Sequence, residues 1–169
     1  FNLRCEIDPS YMYYKIALER ISKVVILPKF IFILRHPLDR AYSHYLMSKY
    51  RGYEKLPFKD ALSIENTRIK NDKNYFSFSN HSYINRSKYS DQLEYFHSIF
   101  ENPQCLYIKF DTLFNPATRV SEIKKIYEFI NVEYLDHHIN YTKSFNVSKE
   151  HRSKFITDII YKKSQFNHI

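Results

Sequence analysis

Residues 29–50 read KFIFILRHPLDRAYSHYLMSKY. Phe30 to Leu34 is a short apolar run of aromatic and branched residues, preceded by Pro28. It predicts a strand buried on both faces. The run stops at Arg35, and Pro37 stands where a helix can begin, because its missing N–H would be unpaired there anyway. Asp39 falls in the first turn, where a carboxylate suits the positive helix end. A strand end, an arginine and a helix N-terminus converge, which makes an anion site. Ser43 lies one turn beyond Arg40, on a face that also includes His36.

Outward from this stretch, the composition sets bounds. The chain has 169 residues, 44% of them hydrophobic, enough for one globular domain with its own core. A formal charge of +8 points to an anionic partner, although Lys, Ile, Asn and Tyr are all abundant, as nucleotide bias would produce. The single glycine, Gly52, excludes a glycine-rich phosphate loop. Cys5 and Cys105 sit in strand-like contexts and read as buried free thiols, with no zinc or disulfide framework. No apolar run approaches the roughly 20 residues of a membrane span, and no signal peptide is visible.

Leu3 to Ile7 reads as a strand, with Asp8-Pro9 as cap and first position of a helix from Ser10 to about Val25, facing inward through Ala17, Ile21 and Val24. Residues 51–87 are polar and irregular. Pro57 to Leu62 reads as a short helix start. Residues 65–87 read as a surface insertion that could select a substrate, or as a weakly specified loop. Tyr89 opens a helix with Leu93, Phe96 and Phe100 in one stripe. Cys105 to Phe110 is the next strand, Pro116 to Ile130 a helix facing inward through Val120, Ile123, Ile126, Tyr127 and Ile130, and Asn131 a left-handed stop. A last helix runs from Arg152 to Lys163.

The central stretch resembles the sulfotransferases that use 3'-phosphoadenylyl sulfate (PAPS). In that family a strand ends in Arg, Pro follows, and a Ser stands eight positions after the Arg, as Arg35, Pro37 and Ser43 do here. The likeness is strongest to the heparan sulfate sulfotransferases and their bacterial relatives. It extends to Glu6, Pro9 and Tyr11, with Ile7 where relatives carry a lysine. It includes Arg86-Ser87-Lys88-Tyr89-Ser90-Asp91-Gln92-Leu93, with Ser87 in place of glycine, and Asp111-Thr112-Leu113 after the second strand, resembling the family's Tyr-Glu-Asp-Leu, with Phe110 and Asp111 standing in for part of it. Asn146 to Ser153 resembles a basic segment of the bacterial members.

The resemblance implies an α/β, three-layer, P-loop-like fold, with a short parallel sheet of strands at 3–7, 30–34 and 105–109 between helices. It implies that residues 1–169 are part of one such domain, whose first strand, phosphosulfate loop and catalytic base and lysine lie upstream of residue 1, so that this stretch alone is inactive and carries no catalytic residue. It implies that Arg35 and Ser43 hold the cofactor's 3'-phosphate, that Lys149 and Arg152 fold over it, and that Glu6 faces the acceptor. No metal is implied. The partners are PAPS, its product 3'-phosphoadenosine 5'-phosphate and a hydroxyl or amine acceptor, a carbohydrate being favoured, with neither nucleic acid nor a membrane span.

The compartment stays open between bacterial cytosol and Golgi lumen. Four glycosylation sequons, at Asn80, Asn85, Asn140 and Asn146, leave a secretory source possible. Two other readings remain from the residues alone: a basic nucleic-acid-binding module, permitted by the charge and the tyrosines, and a P-loop kinase relative.

Overall fold

The computed structural model describes residues 3–135. They fall into two compact units, one of residues 3–36 with 88–135, the other of residues 37–87.

The first unit is built on two parallel strands, β1 (Lys29–Leu34) and β2 (Gln104–Lys109). Their register runs from Lys29 opposite Gln104 to Leu34 opposite Lys109. Against them pack α1 (Lys15–Val24) and α6 (Tyr89–Ile99). Phe30 and Phe32, alternate residues of β1, point to one side, where Phe96 meets both rings edge-on at 4.7 and 5.1 Å between centroids. Leu18, Phe96 and Phe100 are the buried centre of this cluster. Burying one such side chain contributes about 1.5–3 kcal/mol. Of the expected stripe, Phe96 and Phe100 are buried in this cluster, while Leu93 is half-buried and outside it.

Other expectations change. No strand forms at residues 3–7, so the sheet among the described residues has two strands rather than three. The apolar spacing Leu3-Cys5-Ile7 has no neighbouring strand to complete its hydrogen bonds there. Ile33 is 48% exposed, so β1 is apolar on both sides but sheathed on one. Cys5 is exposed rather than buried, and Cys105 is half-buried. Asp8 does cap, its Oδ1 accepting from the Ser10 N–H at 2.6 Å, but it closes only a turn. The helix starts five residues later, at Lys15, and buries Leu18 while Val24 stays 77% exposed.

After β2, a short helix α7 (Phe110–Phe114) comes first, and the expected helix follows as α8 (Arg119–Phe129), starting three residues after Pro116. Ile123, Ile126, Tyr127 and Ile130 are half-buried as expected, whereas Val120 is exposed. Asn131 adopts φ 59° and ends α8 in the left-handed conformation its short polar side chain tolerates.

The second unit opens with α2 (Pro37–Tyr50). Ala41, Tyr42, Tyr45 and Ser48 are buried along it at helical spacing. Gly52, at φ 74°, supplies the left-handed turn beyond its end. The helices α3 (Phe58–Ser63), α4 (Glu65–Lys70) and α5 (Phe76–Asn80) and a 3-10 turn (Asn85–Ser87) follow. The short helix near residue 58 is as expected. The irregular loop at 65–87 is corrected, because this segment is fixed by buried polar side chains that leave no periodic trace. Glu54 is 2% exposed and accepts hydrogen bonds from the Leu56 N–H at 2.9 Å, the Tyr83 hydroxyl at 2.8 Å and the Arg68 guanidinium. Glu65 is 3% exposed and accepts from the Ile84 and Asn85 N–H groups at 2.9 and 2.7 Å. Each buried acceptor left unmet would cost about 1–3 kcal/mol, so the network specifies one arrangement.

Candidate functional site

Arg35 is the first residue past β1. In the parallel register, Leu34 faces Lys109, so the next residues, Arg35 and Phe110, leave the sheet together at its carboxyl edge. The Arg35 guanidinium lies over the Phe110 ring, 5.0 Å from its centroid. Phe110 is in turn braced by Phe114, one turn along α7, with ring centroids 4.3 Å apart.

Arg35 is half-buried, and its Nε is buried with no hydrogen-bond partner among the described residues. No carboxylate of the described residues pairs with it either. A guanidinium keeps its charge and presents five donors in a fixed fork. A buried donor left open is a cost that an incoming anion removes, most effectively through two parallel bonds to one phosphate or carboxylate. The carboxyl ends of parallel strands are also where ligands of open α/β sheets collect.

Ser43 is half-buried on α2, in the second unit, whereas Arg35 belongs to the first. Arg40, one turn before Ser43, is committed elsewhere. Its Nε donates to the Ser87 hydroxyl at 2.6 Å, and its Nη2 donates to the Tyr83 carbonyl and reaches the Ser82 carbonyl at 3.5 Å. The Ser87 hydroxyl donates to the Pro37 carbonyl at 2.8 Å, tying the start of α2 to the 3-10 turn. The sequence therefore places two arginines near one helix start, and the fold spends the second on structure.

Glu6 is exposed and accepts a hydrogen bond from the Tyr11 hydroxyl, whose pKa this bond raises. Lys149 and Arg152 lie outside the described residues. Among the described residues no cluster of His, Cys, Asp or Glu is arranged to hold a metal, and no helix is long and apolar enough to cross a membrane.

Two features escaped the reading of the sequence. Phe110 reads as the last residue of a strand and as part of the motif after it, and only the structure shows that its ring underlies Arg35. His44, 7% exposed, sits edge-on to Tyr83 with ring centroids 5.3 Å apart. Burial lowers its pKa to about 3, helped by the charges of Arg40 and Arg86, while the backbone of Ser79 and Ser82 pulls weakly the other way. It is therefore a neutral core residue.

Comparison with known proteins agrees with this architecture. The family model described as "Sulfotransferase domain" matches residues 16–168. The crystal structure of a sulfotransferase from Alicyclobacillus acidocaldarius superposes with a TM-score of 0.64 at 18% sequence identity, covering 91% of this chain and 57% of that one. The chain thus spans little more than half the length of that protein. No curated protein matches the chain.

Proposed function

The chain belongs to the sulfotransferase domain family, and from that premise we propose that it is part of a PAPS-dependent sulfotransferase and supplies the part of the cofactor site that holds the 3'-phosphate. One observation carries the reading: Arg35, at the carboxyl end of a parallel strand, holds a buried Nε–H that no described residue satisfies. In this reading its fork takes the 3'-phosphate and Ser43 donates a further hydrogen bond. The eight-residue interval from Arg35 to Ser43, across a strand end and the first turns of α2, supports pairing them. Lys149 and Arg152 would add positive charge over the nucleotide, and Glu6 would face the acceptor. The residues that drive transfer are not assigned to this chain, and residues 1–169 are proposed as part of a single catalytic domain.

The reaction moves a sulfonate group. The bond between its sulfur and the bridging phosphate oxygen breaks, and a bond from sulfur to an acceptor oxygen or nitrogen forms. The acceptor gives up its proton, and 3'-phosphoadenosine 5'-phosphate leaves. Positioning and electrostatic stabilisation dominate such transfers. Arg35 and Ser43 contribute by binding and orientation, not as bases. A hydroxyl or amine acceptor is proposed, with a carbohydrate favoured.

The test is competitive elution. The complete protein, retained on immobilised adenosine 3',5'-bisphosphate, should be released by the free bisphosphate and not by AMP. Release by AMP at equal concentration contradicts the assignment, as does salt-sensitive binding to random single-stranded DNA that the bisphosphate fails to displace.

A further inference from the structure

We propose that Phe110 is a positioning residue for the 3'-phosphate, with its ring fixing the plane of the Arg35 guanidinium before the anion arrives. The inference rests on the cofactor reading above and adds the element that prepares the arginine for it.

Three observations converge on Phe110. The parallel register ends with Leu34 opposite Lys109, so the next residues, Arg35 and Phe110, leave the same edge of the sheet. The guanidinium lies 5.0 Å from the ring centroid. Phe114 backs the ring at 4.3 Å, so the platform is itself held. No carboxylate among the described residues pairs with Arg35, and its Nε has no acceptor there.

The choice of an aromatic ring has a chemical consequence. A carboxylate would also orient an arginine, but it would consume donors and cancel charge. A ring face attracts the cation through its quadrupole and uses no N–H group. The five donors stay available for the phosphate. An arginine already held in one plane also loses less rotamer freedom when the anion binds. The contrast with Arg40, oriented by carbonyls and a hydroxyl that occupy its donors, shows the other solution within the same chain.

The test uses the complete protein and three variants, Arg35→Ala, Phe110→Leu and Phe110→Trp, with adenosine 3',5'-bisphosphate and AMP as the two probes. Phe110→Leu keeps apolar volume and removes the quadrupole. It should weaken bisphosphate binding about 3- to 30-fold and leave AMP binding unchanged. Phe110→Trp should restore the bisphosphate affinity. A structural role alone would move both probes together and would not be rescued by tryptophan.

A second readout needs no ligand. In protein labelled with 15N at arginine, the Arg35 Nε–H proton, assigned by its loss in Arg35→Ala, should be shifted upfield by the ring and return toward the ordinary position in Phe110→Leu. An unshifted resonance in the wild-type protein overturns the proposal, even if Phe110→Leu does not fold. If Arg35→Ala weakens bisphosphate binding and Phe110→Leu does not, the platform is wrong and the cofactor reading stands. If Arg35→Ala changes nothing, the cofactor reading itself fails.

Discussion

Arg35 and Arg40 are five residues apart in sequence, yet their surroundings are opposite. Arg40, in the second unit, donates to Ser87 and to the backbone of Ser82 and Tyr83. Arg68, in the same unit, grips the buried Glu54. Arg35, in the first unit, rests on an aromatic face with its Nε unmet among the described residues. Guanidinium groups that are satisfied from within hold a fold together. One left with open donors at the end of a parallel strand is available to a ligand. The basic charge of the chain is thus of two kinds, which net charge cannot separate.

If this contrast is right, removing the committed arginines should damage stability, and removing Arg35 should not. Arg68→Ala leaves the Glu54 carboxylate, 0% exposed at its side chain, without its counter-ion, and should cost about 3–5 kcal/mol in urea unfolding. Arg40→Ala should cost about 2–3 kcal/mol, since charge-assisted hydrogen bonds to the 3-10 turn are lost. Arg35→Ala should stay within about 1 kcal/mol of the wild type, the scale of one cation–π contact. A larger loss at Arg35 than at Arg68 would erase the distinction.

The pH dependence sharpens it further, because the second unit holds the strongly shifted groups. His44 has a folded pKa of about 3, below its ordinary 6.5, so the unfolded chain takes a proton that the folded chain refuses. Its contribution is complete above pH 6.5 and is lost as pH falls toward 3, at about 1.4 kcal/mol per unit. Burial opposes the Glu54 charge, but hydrogen bonds from Arg68, Leu56 and Tyr83 overcome this and hold its pKa at about 2. Glu54 therefore adds a loss of the same sign below 4.5, again as pH falls toward 2. Glu65 acts oppositely, since burial raises its pKa and its contribution declines as pH rises past 4.5. Stability measured from pH 7 to 5 should already be falling, and His44→Phe should flatten that segment. A His44→Phe profile as steep as the wild type's over that segment would show that His44 is not buried neutral.

The smallest effect belongs to the first unit. Asn131→Ala keeps φ 59° but removes the short polar side chain that tolerates it, and should cost about 1 kcal/mol, read as a lower urea midpoint with unchanged m-value.

What could be read from residues alone follows the same division. The strand, the arginine, the proline and the helix after them were visible because an apolar run, a breaker and a helix starter lie in unbroken succession from Phe30 to Pro37. The α6 stripe was visible because Phe96 and Phe100 repeat at helical spacing. Residues 65–87 looked structureless because their order comes from Glu54, Glu65 and Tyr83 meeting partners far along the chain. The 3–7 stretch looked like a strand because its spacing fits one, but a strand is decided by its neighbour, which sequence spacing does not reveal. That the Phe110 ring lies under Arg35 was illegible for the related reason that this contact depends on register across the sheet.

The most direct test of the account is calorimetric titration of adenosine 3',5'-bisphosphate into the complete protein and its Arg35→Ala variant, with AMP as control. The account predicts that the variant stays folded, binds the bisphosphate about 30- to 1,000-fold more weakly and binds AMP as before. Equal bisphosphate affinity in a folded Arg35→Ala variant would contradict it.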